Sequence, residues 1–292
     1  MRLPDFLIIG AMKAGTTTLF RDLETNPGIF FPKKKELGQL TRDEVLTDAG
    51  RRDYASHFRH ARPDQKAGEA STDYTKLPTH PGCPQRVRKL LGPDVRLIYL
   101  VREPIARAIS QHHHSYNSGR LPRRFDDALA QNPAILEYSR YATQFEPWLD
   151  TFGREAVMVI RFEDYVANRQ ATADAAARFV GVETTCRVDE TRVFNQSTTR
   201  RLTTDGWRRI LHNPVYRRVV RPMIPTPVVE QLRQRLLPRQ GAPPIGPSAQ
   251  TLRRMVEALQ PEVTRLSELL GVDGPWWDLG EVVERGCAQI ST

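Results

Sequence analysis

Cysteine is scarce in this chain. Cys83, Cys186 and Cys287 are the only three among 292 residues; they are widely spaced, odd in number and form no Cys-x-x-Cys pair. That excludes a disulfide-stapled framework and argues against a zinc site, and it points to a reducing compartment, hence the cytoplasm. Long apolar runs are also missing: nothing approaches the roughly 18 residues that a membrane-spanning helix needs. The run Phe6-Leu7-Ile8-Ile9-Gly10-Ala11-Met12 is short, has no small-residue cleavage pattern and runs straight into Lys13. It therefore reads as a buried strand rather than a leader. There is no internal repeat, and no basic patch interleaved with aromatics that would mark a nucleic-acid binder. Acidic residues are outnumbered 34 to 43, for a net charge of +9. A basic balance favours anionic partners, although a solvated arginine-rich surface carries part of it whatever the function.

What is present suits a folded α/β protein. Hydrophobic residues make up 39% and charged residues 26%, enough for a sizeable core without disorder. Leu7-Ile8-Ile9 predicts a buried strand, Gly10 to Gly15 a loop, and Thr16 to Leu23 a helix that ends at Asn26-Pro27-Gly28. A second strand runs from Asp94 to Val101, with Pro104 placed to start a helix that continues to about Tyr116. A third runs from Ala156 to Ile160, followed by one helix through Phe179-Val180 that Gly181 stops. Strands alternating with helices imply a parallel sheet covered on both faces. The Pro-rich stretch from Asn213 to Ser248 reads as an irregular lid or insertion. Thr251 to Leu270 is an amphipathic helix, with Leu252, Met255, Val256, Leu259, Val263, Leu266, Leu269 and Leu270 at three-and-four spacing. Trp276-Trp277 are expected to pack back on the core.

The loop Gly10-Ala11-Met12-Lys13-Ala14-Gly15-Thr16-Thr17-Thr18 joins a strand to a helix, where backbone N–H groups and the helix dipole favour anions. Gly15 permits close backbone approach. Lys13 adds a point charge, and the threonines add hydroxyl donors. A Walker A loop would need lysine where Thr16 stands; here the lysine lies three residues earlier. The second strand ends in Arg102 rather than in a carboxylate that could hold Mg²⁺. The loop therefore reads as built for phosphate without metal. Arg102 sits where ligands of open sheets bind and carries a fork suited to phosphate; its bland alternative is an ion pair with Glu103 or Glu163. Ser110, a little over two helical turns on, can share the face of the helix start.

Together these segments resemble the PAPS-dependent sulfotransferases, where PAPS is 3′-phosphoadenosine 5′-phosphosulfate. The likeness is greatest to the bacterial and heparan-sulfate-type branch, whose opening pattern Pro-x-Phe-x-Ile-Ile-Gly-x-x-Lys-x-Gly-Thr-Thr is met by Pro4 to Thr17. It extends through Gly68-Glu69-Ala70-Ser71-Thr72-Asp73-Tyr74, Tyr141…Trp148-Leu149…Phe152-Gly153 and Phe162-Glu163-Asp164-Tyr165, leaving out about residues 205–248. The resemblance implies a P-loop-like, doubly wound α/β fold in a single domain. It implies that Lys13, Ala14, Gly15, Thr16, Thr17 and Thr18 hold the 5′-phosphosulfate, and that Arg102 and Ser110 hold the 3′-phosphate. It implies further that Glu36, in the pair Lys35-Glu36, is the base that takes a proton from a hydroxyl acceptor: a small molecule, carbohydrate or lipid. The product nucleotide would be 3′-phosphoadenosine 5′-phosphate (PAP). No metal, nucleic acid or membrane span is implied.

Two departures from the family pattern stand out. Leu37-Gly38-Gln39-Leu40 replaces Pro-His-Phe-Phe after Glu36. In the segment Gly-Glu-Lys-Thr/Ser-Pro-x-Tyr, Ala70 replaces the lysine and Thr72 the proline, which leaves Lys33, Lys34 or Lys35 as candidates for the missing charge. His112-His113-His114 cannot converge on one metal ion, because adjacent helical residues point about 100° apart. His112, close to Ser110, stays open as an alternative base. The rival classes are a P-loop nucleotide kinase and a non-enzymatic anion-binding protein.

Overall fold

Among the described residues, five strands form one parallel sheet. In this computed structural model, which describes residues 1–189 and 243–281, they are β1 (Phe6–Gly10), β2 (Ile29–Phe30), β3 (Lys66–Ala70), β4 (Arg96–Val101) and β5 (Val157–Arg161). Their order is β2-β3-β1-β4-β5, with every neighbouring pair parallel. Phe6–Ile9 of β1 and Leu97–Val101 of β4 have no exposed surface, as expected of strands covered on both faces, which read as unbroken apolar runs.

The flanking helices are α1 (Thr16–Glu24), α2 (Asp48–Ser56), α3 (Cys83–Leu91), α4 (Pro104–Asn117), α5 (Phe125–Gln131), α6 (Ala134–Glu137), α7 (Tyr141–Phe152), α8 (Phe162–Ala167), α9 (Arg169–Phe179) and α10 (Ala249–Leu270). Helix α1 packs beside α9, and α7 packs between α3 and α10. A buried ion pair, Arg169 to Asp22 at 2.6 Å, ties α9 to α1, and the Tyr165 hydroxyl donates to the same aspartate. Thr143 on α7 donates to Glu262 on α10 through its N–H at 2.9 Å and its hydroxyl at 2.8 Å.

The structure differs from the sequence reading in three places. Strands β2 and β3 were not anticipated. The expected single helix from Glu163 to Val180 is broken in two at Asn168, whose φ of −142° is not helical. Its N–H ends α8 on Asp164, and its carbonyl receives the Thr172 N–H of α9. The Gly181 stop holds: Val182 N–H reaches Ala177 O and Gly181 N–H reaches Arg178 O, both at 2.9 Å, the Schellman pattern. Trp277 packs on Tyr141, with ring centres 6.1 Å apart. The lid expected from Asn213 to Ser248 lies outside the described residues up to residue 242. Beyond it, Ile245 bridges Arg124 and Ser248 caps α10.

Strand order decides where the site lies. The central strand β1 has β3 on one side and β4 on the other, so the loops leaving these three carboxyl ends lie side by side. That is the ligand-binding edge of an open α/β sheet.

Candidate active site

The middle of this edge is the loop from β1 to α1. Ala11 N–H bonds to Leu100 O of β4 at 2.6 Å, and Ala14 N–H turns back to Ala11 O at 3.2 Å. Lys13 adopts φ 72°, and Gly15, at φ 91°, forms the N-cap of α1 without a side-chain cap. Among the described residues, nothing accepts the N–H groups of Gly15, Thr16 and Thr17. They are the orphan donors of a helix start, and with the dipole they favour an anion. Thr16 is buried, Lys13, Thr17 and Thr18 are half-buried, and Ala14 lies inside the core. Glycine is required at position 15 twice over: for the positive φ, and because a Cβ would meet the Phe162 ring at 2.8 Å.

The same ring supports the arginine of the neighbouring loop. The Arg102 guanidinium lies over Phe162, 4.8 Å from its centre, and its Nη1 donates to Lys13 O at 3.4 Å. Among the described residues Arg102 has no ion pair, so the bland alternative fails. Both carboxylates are engaged elsewhere. Glu103 caps α4, accepting from Ile105 N–H at 2.7 Å and Ala106 N–H at 2.6 Å. Glu163 accepts from Glu103 N–H at 3.0 Å and Trp277 Nε1 at 3.3 Å. Burial raises the Glu103 carboxyl above its usual range. Arg102 thus presents its charge beside the loop, and the half-buried Ser110 lies further along α4.

On the other flank, Glu36 holds φ 60° and is tied to the end of β3 through its N–H, which donates to Ala70 O at 2.9 Å. Its Oε2 accepts from Thr72 N–H at 2.7 Å and Thr72 Oγ1 at 3.3 Å, and its Oε1 pairs with Lys35 Nζ. Lys33 and Lys34 are exposed, so Lys35 is the member of the triplet that meets the carboxylate. The divergent stretch after Glu36 anchors the loop: Leu37 and Leu40 are buried in the core. Behind it lies Glu69 of β3, fully buried, with the Tyr54 and Tyr74 hydroxyls donating to its two oxygens. Burial pushes this carboxyl up to about 7; the tyrosine hydrogen bonds oppose the rise, and the Glu36 charge adds to it.

His112 is turned into the core. The residue has no exposed surface, its Nε2 lies 2.9 Å from Pro122 O, and its ring packs edge-on against Phe125. Helical geometry turns it into the α4–α5 packing. Its neighbour His113 is half-buried and feels Lys13: burial lowers its pKa most, followed by His112 and then Lys13. Spacing could have singled it out, since three residues beyond Ser110 is the same helix face. Sequence reasoning also missed Phe162, the platform under Gly15 and Arg102, and Lys76, which pairs with Asp73 at 2.5 Å near the Glu36 loop.

Sheet order and phosphate-type loop define an α/β protein of P-loop-like build. The chain belongs to the sulfotransferase domain family, whose model matches residues 3–209. It is 35% identical, over 158 residues, to the membrane-associated sulfotransferase kil1 of Dictyostelium discoideum, covering 49% of this chain and 32% of that protein. It is 23% identical to the heparan sulfate glucosamine 3-O-sulfotransferase 3B1 of Mus musculus, covering 67% of this chain and 50% of the other. The chain thus spans a third to a half of these curated relatives. A sulfotransferase from Alicyclobacillus acidocaldarius shares the fold, with a TM-score of 0.64 at 23% identity and coverage of 94% and 98%. No helix among the described residues is long and apolar enough to cross a membrane.

Proposed function

We propose that the protein transfers a sulfuryl group from PAPS to a hydroxyl acceptor. The observation that carries this reading is Arg102: a guanidinium with no carboxylate partner among the described residues, lying against a loop in which the N–H groups of Gly15, Thr16 and Thr17 also lack acceptors there. A donor set of orphan N–H groups, threonine hydroxyls and cations fits a phosphate-bearing nucleotide. Bound PAPS would supply an activated sulfuryl group, which passes to the acceptor oxygen as the bond to the 5′-phosphate oxygen breaks, leaving PAP.

The chain's own residues then do three things. Lys13 and the N–H groups of Gly15, Thr16 and Thr17 hold the 5′ end and neutralise charge on the oxygen that leaves. Arg102 and Ser110 hold the 3′-phosphate and set the register of the nucleotide. Glu36 takes the proton from the acceptor hydroxyl. Oε2 accepts two bonds from Thr72, whereas Oε1 accepts one, from Lys35, and keeps a second lone pair for the incoming proton. The buried His112 is left out of this scheme. The acceptor is a small-molecule, carbohydrate or lipid alcohol, a range that includes the glucosamine named for the mouse relative. A cytoplasmic setting fits the free, buried thiols of Cys83 and Cys186.

The test is transfer from PAPS in the presence of EDTA, against panels of sugar, phenol and lipid alcohols, with product mass as the readout. Gain of one sulfuryl group supports the reading. Failure on every panel, together with phosphoryl transfer from ATP–Mg²⁺, would replace it with a kinase. Binding of PAP without turnover of either donor would leave an anion-binding protein.

A further inference from the structure

Arg107 is a large charged side chain with no exposed surface, and the scheme above does not use it. It lies one turn into α4, behind the phosphate loop. Its Nε donates to Ser139 Oγ at 2.6 Å, and its Nη1 to Gln111 Oε1 at 2.8 Å and Met12 O at 3.4 Å; its Nη2 donates to Ile135 O. Ser139 is itself fixed by Pro104 O at 2.8 Å. Every one of these partners is neutral. Three tyrosines, Tyr99, Tyr138 and Tyr141, lie close enough to influence it, and the charged group that does so is Arg102, of the same sign. Hydrogen bonds satisfy this guanidinium geometrically, but its charge has no counter-ion among the described residues. A buried charge in that condition is costly to the fold.

Its position suggests what balances it. Arg107 takes the carbonyl of Met12, and Arg102 takes the next one, of Lys13. Because the peptide unit is planar and trans, a Met12 carbonyl aimed at Arg107 turns the Lys13 N–H towards the opposite side of the loop. One cation thus holds the loop from behind.

We propose that Arg107 is a positioning residue of the donor site, an internal cation that aims the phosphate loop and whose counter-charge is the 5′-phosphate of the bound nucleotide. This rests on the reading of the site as a PAPS site. It places at position 107 a share of the preference for a 5′-phosphate that contact residues alone would not account for. A purely structural arginine would instead affect all ligands alike.

Calorimetric affinities of Arg107→Gln and Arg107→Lys for PAP and for 3′-AMP, which lacks the 5′-phosphate, test the proposal. The expected order for PAP is wild type, then lysine, then glutamine. The glutamine variant should fall about tenfold or more, the scale of one charge-assisted contact, while 3′-AMP stays within about threefold. If Arg107→Gln does not fold, Arg107→Lys decides. It keeps the charge but not the fork, and should weaken PAP by about threefold or more with 3′-AMP unchanged. PAP affinity that does not move, or losses for PAP and 3′-AMP that run in parallel, would overturn the role of Arg107. Wild-type protein that shows no preference for PAP over 3′-AMP would contradict the donor reading itself.

Discussion

The backbone N–H of Thr72 donates to the Glu36 carboxylate at 2.7 Å, and it does so from a position where the family pattern carries proline. Proline has no N–H to give. Thr72 therefore supplies a strong hold on the proposed base in a chain that lacks the family's lysine at Ala70. The backbone can accept the proline: Ser71 is extended at φ −142°, ψ 120°, and Thr72 starts a short 3₁₀ turn. Thr72→Pro should lower kcat by about tenfold, since hydrogen bonds to charged groups are worth about 1.5–3 kcal/mol. Thr72→Ala, which keeps the N–H, should stay within a few-fold. Equal activity in the two variants would remove Thr72 from the account.

Glu36→Gln tests the base directly. Glutamine can still accept the Thr72 N–H through its amide oxygen but cannot take a proton. Turnover should fall by about 10²-fold or more, and PAP affinity should hardly change, because Glu36 lies on the β3 side of the loop, away from Arg102. Retention of full kcat would assign the proton to another group.

Lys13→Ala should abolish most transfer while leaving the fold intact. The residue is half-buried in a surface loop, where truncation costs little stability. Transfer rates and thermal midpoints measured on the same preparation separate the two effects. Activity within a few-fold of wild type would show that the loop does not hold the reacting group.

Glu69 predicts a pH dependence of stability. Its carboxyl is pushed up to about 7 from an ordinary 4.5. Between those values the folded chain keeps a proton that the unfolded chain has released. The contribution is thus fully present below 4.5 and is lost as pH rises towards 7. At about 1.4 kcal/mol per pKa unit this amounts to a few kcal/mol. Glu69→Gln cannot titrate, so thermal midpoints taken between about pH 5 and pH 8 should show wild type losing stability relative to the variant. Parallel curves would mean that the carboxyl is not held protonated.

The centre of the fold was legible in the sequence, and its flank was not. β1, the loop behind it, β4 and Arg102 announce themselves because parallel strands buried on both faces are written as apolar runs. β3 does not: Lys66-Ala67-Gly68-Glu69-Ala70 has no β-branched or aromatic residue. It is a strand because of its neighbours, and glycine stands at 68 because the rings of Phe6 and Phe31 fill the space of a side chain. Glu36 was reachable through family resemblance alone, since its partner Thr72 lies far away in sequence and its positive φ belongs to tertiary context. The histidine triplet shows the reverse. Nearness in sequence to Ser110 favours His112, which packing buries, whereas helical spacing from Ser110 would have singled out His113. The charge state of Glu69 depends on complete burial between two tyrosines, and no local pattern encodes that.

The central claim is that this edge of the sheet is a site for a 3′,5′-bisphosphorylated nucleotide. Calorimetric titration of PAP into wild type and Arg102→Ala with EDTA present, and of ATP–Mg²⁺ into wild type without EDTA, tests it most directly. Wild type should bind PAP more tightly than ATP–Mg²⁺. The variant should bind it at least about 30-fold more weakly, matching the roughly 2–5 kcal/mol lost when one member of a buried charge pair is removed. A wild-type protein that ignores PAP, or binds ATP–Mg²⁺ in preference, would contradict the account, as would an Arg102→Ala variant with unchanged affinity.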